Sequence, residues 1–137
     1  MSTLKVTDIQ SNGTGFNDVV SFQNASGTEN GKLCRAFVNF NGTTGSGVGF
    51  SDITIRASFN VSSILDNGTG NYRVNFTTAL TDANYGVVST LGLSGNVVVM
   101  RVNASSPPTN LRCDILSNRT DTTAAVDSEY VNVAFFR

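Results

Sequence analysis

Ile55-Arg56-Ala57-Ser58-Phe59-Asn60-Val61, then Asp66-Asn67-Gly68-Thr69-Gly70, then Tyr72-Arg73-Val74-Asn75-Phe76: the reading of this stretch decides the fold. Its outer segments alternate apolar and polar side chains, the period of a strand with one dry face. Between them, Asn67-Gly68 suits a type I′ turn, in which both central residues take positive φ. The stretch therefore predicts one long β-hairpin over residues 53–80. With Asn67 and Gly68 as the turn, Val61 falls opposite Val74, Phe59 opposite Phe76 and Ile55 opposite Leu80. The other face pairs Asn60 with Asn75 and Ser58 with Thr77. A one-residue slip would mix the faces and is excluded, whereas a four-residue loop shifts the pairing by two and stays open. A hairpin dry on one face needs a second layer to cover it.

The rest of the chain is consistent with such a layer. At 137 residues it suits one domain, able to bury roughly two thirds of its unfolded surface. Charged residues are only 14%, and thirteen Gly sit among many Asn, Ser and Thr. That mixture is poor in helix formers and rich in strand and turn residues. Working outward, Cys34 to Phe40 predicts a strand, followed by a glycine-rich surface loop from Asn41 to Gly49. No Lys-Ser/Thr closes that loop, so it is not read as a phosphate cradle. Further strands are expected at Tyr85 to Ser89, Val97 to Val102, Leu111 to Leu116 and Tyr130 to Phe136. Val97 to Val102 is apolar on both parities and is expected to be buried on both faces. Residues 91–96, 104–110 and 117–127 are expected as loops. The fold class is all-β: a single antiparallel β-sandwich, jelly-roll-like, over residues 32–137, with an extended N-terminal arm over 1–31. Within the arm, Leu4, Val6 and Ile9 are expected to form one short strand and Val19, Val20 and Phe22 a second. Ser11 to Gly15 and Ala25 to Gly31 are turn-forming or flexible.

Composition removes several kinds of chemistry. The chain has no histidine, so a Ser-His-Asp triad and the usual zinc sites are excluded. The formal net charge is −1 and basic residues are scattered, which argues against nucleic acid as a partner. No apolar run approaches eighteen residues, so no membrane insertion is expected. Met1 to Lys5 lacks the apolar core of a secretion signal, so the product is expected to stay, or to assemble, in the cytoplasm of the cell that makes it. Cys34 and Cys113 are then expected as reduced thiols. Eight Asn-x-Ser/Thr triplets are the chance product of this composition and are expected to carry no glycan. The acidic residues Asp52, Asp66, Asp82, Asp114, Asp121 and Asp127 sit singly at turns and strand ends, where Asp serves turn chemistry. Asp52 and Asp82 are expected near each other at the open end of the hairpin. Arg56 and Arg73, on its polar face, are expected in salt bridges or solvent. No catalytic residue, cofactor site or metal site is expected.

A resemblance then adds to this reading. Ala36-Phe37-Val38-Asn39-Phe40-Asn41-Gly42, Ile55 through Ile64, Asp66 through Thr77, Asp82-Ala83-Asn84-Tyr85 and the closing Asp127 through Phe135 follow one another in order. Together with the opening Ser2-Thr3-Leu4-Lys5-Val6, this resembles a family of small virion proteins of marine and cyanobacterial phages labelled as tail fibre proteins. The chain departs from the family's pattern at Phe37, where Trp is usual, and at Leu65 and Asn71, where more polar residues are usual. Residues 86–125 match no part of it. The resemblance implies a non-enzymatic virion structural protein of tail-fibre or receptor-binding type, located on the particle and assembled in the host cytoplasm. Its N-terminal arm would attach to other virion proteins. A homotrimer is implied by analogy with phage fibres, its subunit interface expected at Tyr130, Val131, Val133, Phe135 and Phe136 of the apolar last strand. Loops holding Leu93, Asn96, Ser106, Asn110, Asn118 and Thr122 would meet a host glycan or protein. The alternatives are a capsid decoration protein, a knob or cement subunit, and, further off, a glycan depolymerase.

Overall fold

The computed structural model describes residues 19–24, 27–95 and 97–137, with side chains from Leu33 onward. The described residues are all-β, with no helix. The chain divides between Leu33 and Cys34. In the first unit β1 (Val19–Asn24) and β2 (Gly27–Lys32) form a two-stranded antiparallel hairpin, with Val19 opposite Lys32. Gly27 to Gly31, expected in a turn, is therefore strand. The expected strand at Leu4, Val6 and Ile9 and the turn at Ser11 to Gly15 lie outside the described residues.

The second unit is a β-sandwich of eight strands in two four-stranded antiparallel sheets. The strands are β3 (Cys34–Phe40), β4 (Ile55–Phe59), β5 (Val61–Gly68), β6 (Asn71–Phe76), β7 (Gly86–Gly92), β8 (Val98–Val102), β9 (Arg112–Arg119) and β10 (Tyr130–Phe136). One sheet has the order β4-β3-β10-β7 and the other β5-β6-β9-β8. Alternate residues of both sheets meet in one core. Ala36, Val38, Phe40, Val131, Val133 and Phe135 come from the first sheet, and Val61, Ile64, Tyr72, Val74, Phe76, Cys113 and Ile115 from the second. Edge-to-face aromatic pairs fasten the two layers: Phe40 on Tyr72 at 5.2 Å between ring centroids, and Phe76 on Phe135 at 5.0 Å. Each fully buried side chain of this kind contributes roughly 1.5–3 kcal/mol.

The deciding stretch folds differently from the expected hairpin. β4 and β5 belong to different sheets, and Asn60 is the corner between them. Asn60 takes φ 55°, a left-handed conformation that Asn tolerates better than most residues. Its side-chain amide donates to the carbonyls of Arg35 and Thr78, each at 3.1 Å, and accepts from the Thr78 N–H at 2.7 Å. Thr77 N–H donates to the Asn60 carbonyl at 3.1 Å. The parity resets at this corner, so Phe59 does not follow Val61 inward. It is 54% exposed on the outer face of the first sheet, opposite Phe37 rather than Phe76. Ile55 is half-buried and pairs with Phe40, not Leu80, while Leu80 is buried.

The hairpin that forms is β5–β6. Val61 pairs with Phe76, the two-residue shift that the alternation permits, and a bulge at Ser62 then slips the ladder by one, so that Ile64 opposes Val74. The bulge moves Ile64 inward in place of Ser63, which is how a slipped register keeps a dry face. The tight turn is Thr69-Gly70 rather than Asn67-Gly68. Gly70, at φ +63°, is required there, since a Cβ would lie 2.4 Å from the Ser117 carbonyl oxygen.

Three further expectations are corrected. β8 is an edge strand, with Val97 and Val99 exposed, because β9 is its one sheet neighbour. β9 runs on through Arg119, so Ser117, Asn118 and Arg119 are strand rather than loop, and β7 likewise takes in Leu91 and Gly92. β10 lies between β3 and β7, so Val131, Val133 and Phe135 are spent on the chain's own core and are not surface for a neighbouring subunit. Of the expected interface, Tyr130 and Phe136 are exposed.

Candidate functional site

Strand directions assign every connection of the sandwich to one of two ends. At the end where the chain enters, Cys34 pairs with Phe136, and the connections through Asn60, residues 77–85 and residues 103–111 gather beside them. Backbone bonds tie this end together, with Leu80 N–H donating to the Asn110 carbonyl and Phe76 N–H to the Leu111 carbonyl. Arg137 forks onto Asp82 at 2.7 and 3.0 Å. The far end holds residues 41–54, the turn at 69–70, residues 93–95 and 97, and residues 120–129. Here Gly42 N–H donates to the Ser128 carbonyl and Thr120 N–H to the Val97 carbonyl.

Three of the expected partner residues lie toward the far end: Leu93, half-buried; Asn118, in β9; and Thr122, exposed. Ser106 and Asn110 lie at the entry end, so the expected loops do not make one surface. Asn96 lies outside the described residues.

Four acidic residues hold loops in shape. Asp127 accepts from Gly70 N–H at 2.7 Å and from the buried Tyr72 hydroxyl at 2.5 Å. Burial, with Asp127 beside it, pushes the Tyr72 phenol well above its ordinary value. Asp52 accepts from both the hydroxyl and the backbone N–H of Ser46, and those bonds hold its carboxyl below the usual range. Asp66 accepts from Gly68 N–H at 2.7 Å, and Asp82 from Asn84 N–H at 2.7 Å besides its pairing with Arg137. Asp52 and Asp82 thus serve separate loops. Asp114 is buried and bidentate with Arg73, at 2.7 and 2.9 Å. Burial works to raise its carboxyl pKa, but Arg73, with help from Ser106, brings it below the ordinary value. Arg56 spans the Phe40 and Glu129 carbonyls and lies over the Tyr130 ring. No group of three His, Cys, Asp or Glu among the described residues is placed to hold a metal. Both cysteines are free thiols, Cys113 buried and Cys34 half-buried.

Two surface features remain. On the outer face of the first sheet, Phe59, Phe37, Ala134 and Val88 form one cross-strand row over all four strands. Phe59, Phe37 and Val88 are 54, 40 and 60% exposed. Phe37 and Val88 flank Ala134 in a groove of about 420 Å³, with Cys34 at its margin and a hydrogen-bonded Asn39–Asn132 pair within it. The second feature is a recess of about 380 Å³ at β8 and β9, lined by Val99, Arg101, Asn118, Arg119, Thr120 and Thr123. Sequence reasoning missed both. The signal for the second was Arg101, one charge in an otherwise apolar run, the usual mark of an edge strand. What the geometry defines is a β-sandwich with two candidate contact surfaces, four carboxylates (Asp52, Asp66, Asp82 and Asp127) that hold loops, and one, Asp114, paired across strands. No known protein family, curated protein or solved structure matches the chain.

Proposed function

We propose that this chain is a phage virion structural protein of tail-fibre or receptor-binding type, which assembles with copies of itself and holds its far-end loops outward. The observation that carries the reading is the apolar row Phe59–Phe37–Ala134–Val88. Large side chains in one continuous row are the kind of surface a partner covers. The next row, Ala57, Asn39, Asn132 and Thr90, is also without charge, so a second copy can be covered there without desolvating an ion. This moves the subunit contact from the inward residues of β10 to the outer face of its sheet. Entry of the chain at the end opposite residues 41–54, 93–95 and 120–129 suits a domain anchored at one end and displayed at the other. A two-stranded hairpin is marginal alone, which favours an attachment role for the N-terminal unit against other virion proteins. The sequence resemblance supplies the particle.

Light scattering on the full chain tests the assembly. The expected mass is three times the 14.5 kDa of one copy. Phe37→Glu and Val88→Glu should each give a folded monomer. A monomeric parent chain would overturn the proposed assembly, and unchanged trimers in both variants would overturn its placement. Quantitative mass spectrometry of purified particles tests the location. A handful of copies per particle supports the tail, hundreds would reassign the protein to the shell as a decoration subunit, and none would overturn the virion role.

A further inference from the structure

We propose that the recess between β8 and β9 binds the anionic group of an acidic glycan. The proposal deepens the receptor-binding reading above and rests on it for the choice of glycan as ligand.

Five arginines of the sandwich divide into two sets. Arg73 is paired with Asp114 and Arg137 with Asp82, and Arg56 is satisfied by two carbonyls and an aromatic ring. Among the described residues, no carboxylate pairs with Arg101 or Arg119. Both line the recess, and no acidic residue does. The Nε of Arg119 is buried and has no hydrogen-bond partner, a state it shares with the Nε of Arg112, which lies outside the recess. Arg101 is held in place. Its Nε donates to Asn118 Oδ1 at 3.3 Å, and Asn118 Nδ2 donates in turn to the Thr123 carbonyl at 2.9 Å. The second bond fixes which way the Asn118 amide faces. Thr123 itself has φ 58°, an uncommon conformation for a β-branched residue and one that marks functional sites.

Guanidinium groups present rigid forks of donors that match carboxylate, sulfate and phosphate oxygens. A volume of about 380 Å³ admits one sugar-sized residue. Val99 offers apolar contact to a ring face, while Thr120 and Thr123 offer oxygens to ring hydroxyls. The nearest acid in sequence, Asp121, is exposed and accepts from the Thr122 hydroxyl at 3.3 Å. The recess lies at the far-end margin of the sandwich, where residues 97 and 120 are bonded to each other. Each copy in an assembly would offer one such site, so weak single contacts would add by avidity.

Titrations of the full chain by NMR test this, using trigalacturonate, glucose 6-phosphate and glucose as probes. Trigalacturonate and glucose 6-phosphate should shift the amide resonances of Arg101, Asn118, Thr120 and Thr123, and glucose should not. The two acidic probes separate a carboxylate from a phosphate preference. Arg101→Gln and Arg119→Gln should each weaken binding about tenfold, and Arg101→Lys less, because it keeps the charge without the fork. Arg112→Gln, outside the recess, should bind as the parent does, and dispersed spectra for each variant establish that it is folded. Equal binding of glucose, no binding of either acidic probe, or undiminished binding in both Gln variants would overturn the proposal. Binding of the acidic probes by a chain that mass spectrometry does not find on particles would keep the site and overturn the virion reading. A chain found on particles that ignores every acidic probe would do the reverse.

Discussion

Asn60 shows how much topology one side chain can set. Its left-handed backbone turns the chain from one sheet to the other, and its amide bonds three backbone groups. Asn60→Ala keeps neither the conformational tolerance nor the bonds, so it should cost about 2–4 kcal/mol in urea unfolding. Asn60→Gly restores the backbone freedom and should recover about 1 kcal/mol of that loss. The sequence placed Asn60 inside an alternating run, where it read as one more outward polar residue. Nothing local distinguishes a corner Asn from a strand Asn, because the reason for the corner is a second sheet. The cysteines give a second check at this scale. Burial pushes the Cys113 thiol up to about 11, leaving it protonated as well as enclosed near neutral pH. A maleimide at pH 7 should label native protein at Cys34 and should reach Cys113 only after denaturation, as peptide mapping would show.

The elements divide into those that alternation alone could place and those it could not. β3, β6 and β10 were legible, since each pairs on both sides and carries a clean inward set: Val38 and Phe40, then Tyr72, Val74 and Phe76, then Val131, Val133 and Phe135. β8 was misread as doubly buried, because its three valines and methionine outweighed Arg101, the one charge that marks an edge. The recess was hidden for a related reason, since it joins Arg101 to residues 118–123 only through the β8–β9 register. Across the neighbouring ladder, Arg73 and Asp114 pair directly, and this pair sets an acid limit on stability. Asp114 has a folded pKa below its ordinary 3.8, so its contribution is present above that value and lost as pH falls through the folded one. Thermal melts should therefore hold steady down to about pH 4–5 and then fall. Asp114→Asn should lower stability at pH 7 by about 2–4 kcal/mol and flatten the acid limb. An acid limb as steep as the parent's would refute the assignment.

For the whole molecule the absence of histidine has a measurable effect. Between the acidic residues and the tyrosines, few side chains change charge. Tyr72 and Tyr85 are held above their ordinary value of 10.0, chiefly by burial. Their contribution is present below pH 10 and is lost as the pH rises through the folded values. A plateau in melting temperature from about pH 5 to pH 9, falling on both sides, is the expected profile. The pairing of Cys34 with Phe136 has a mechanical consequence as well. Were the entry end tethered and the far end pulled, tension would run lengthwise through β3. Its ladder bonds to β4 and β10 lie across that direction, so they would resist together in shear instead of parting one after another like a zip.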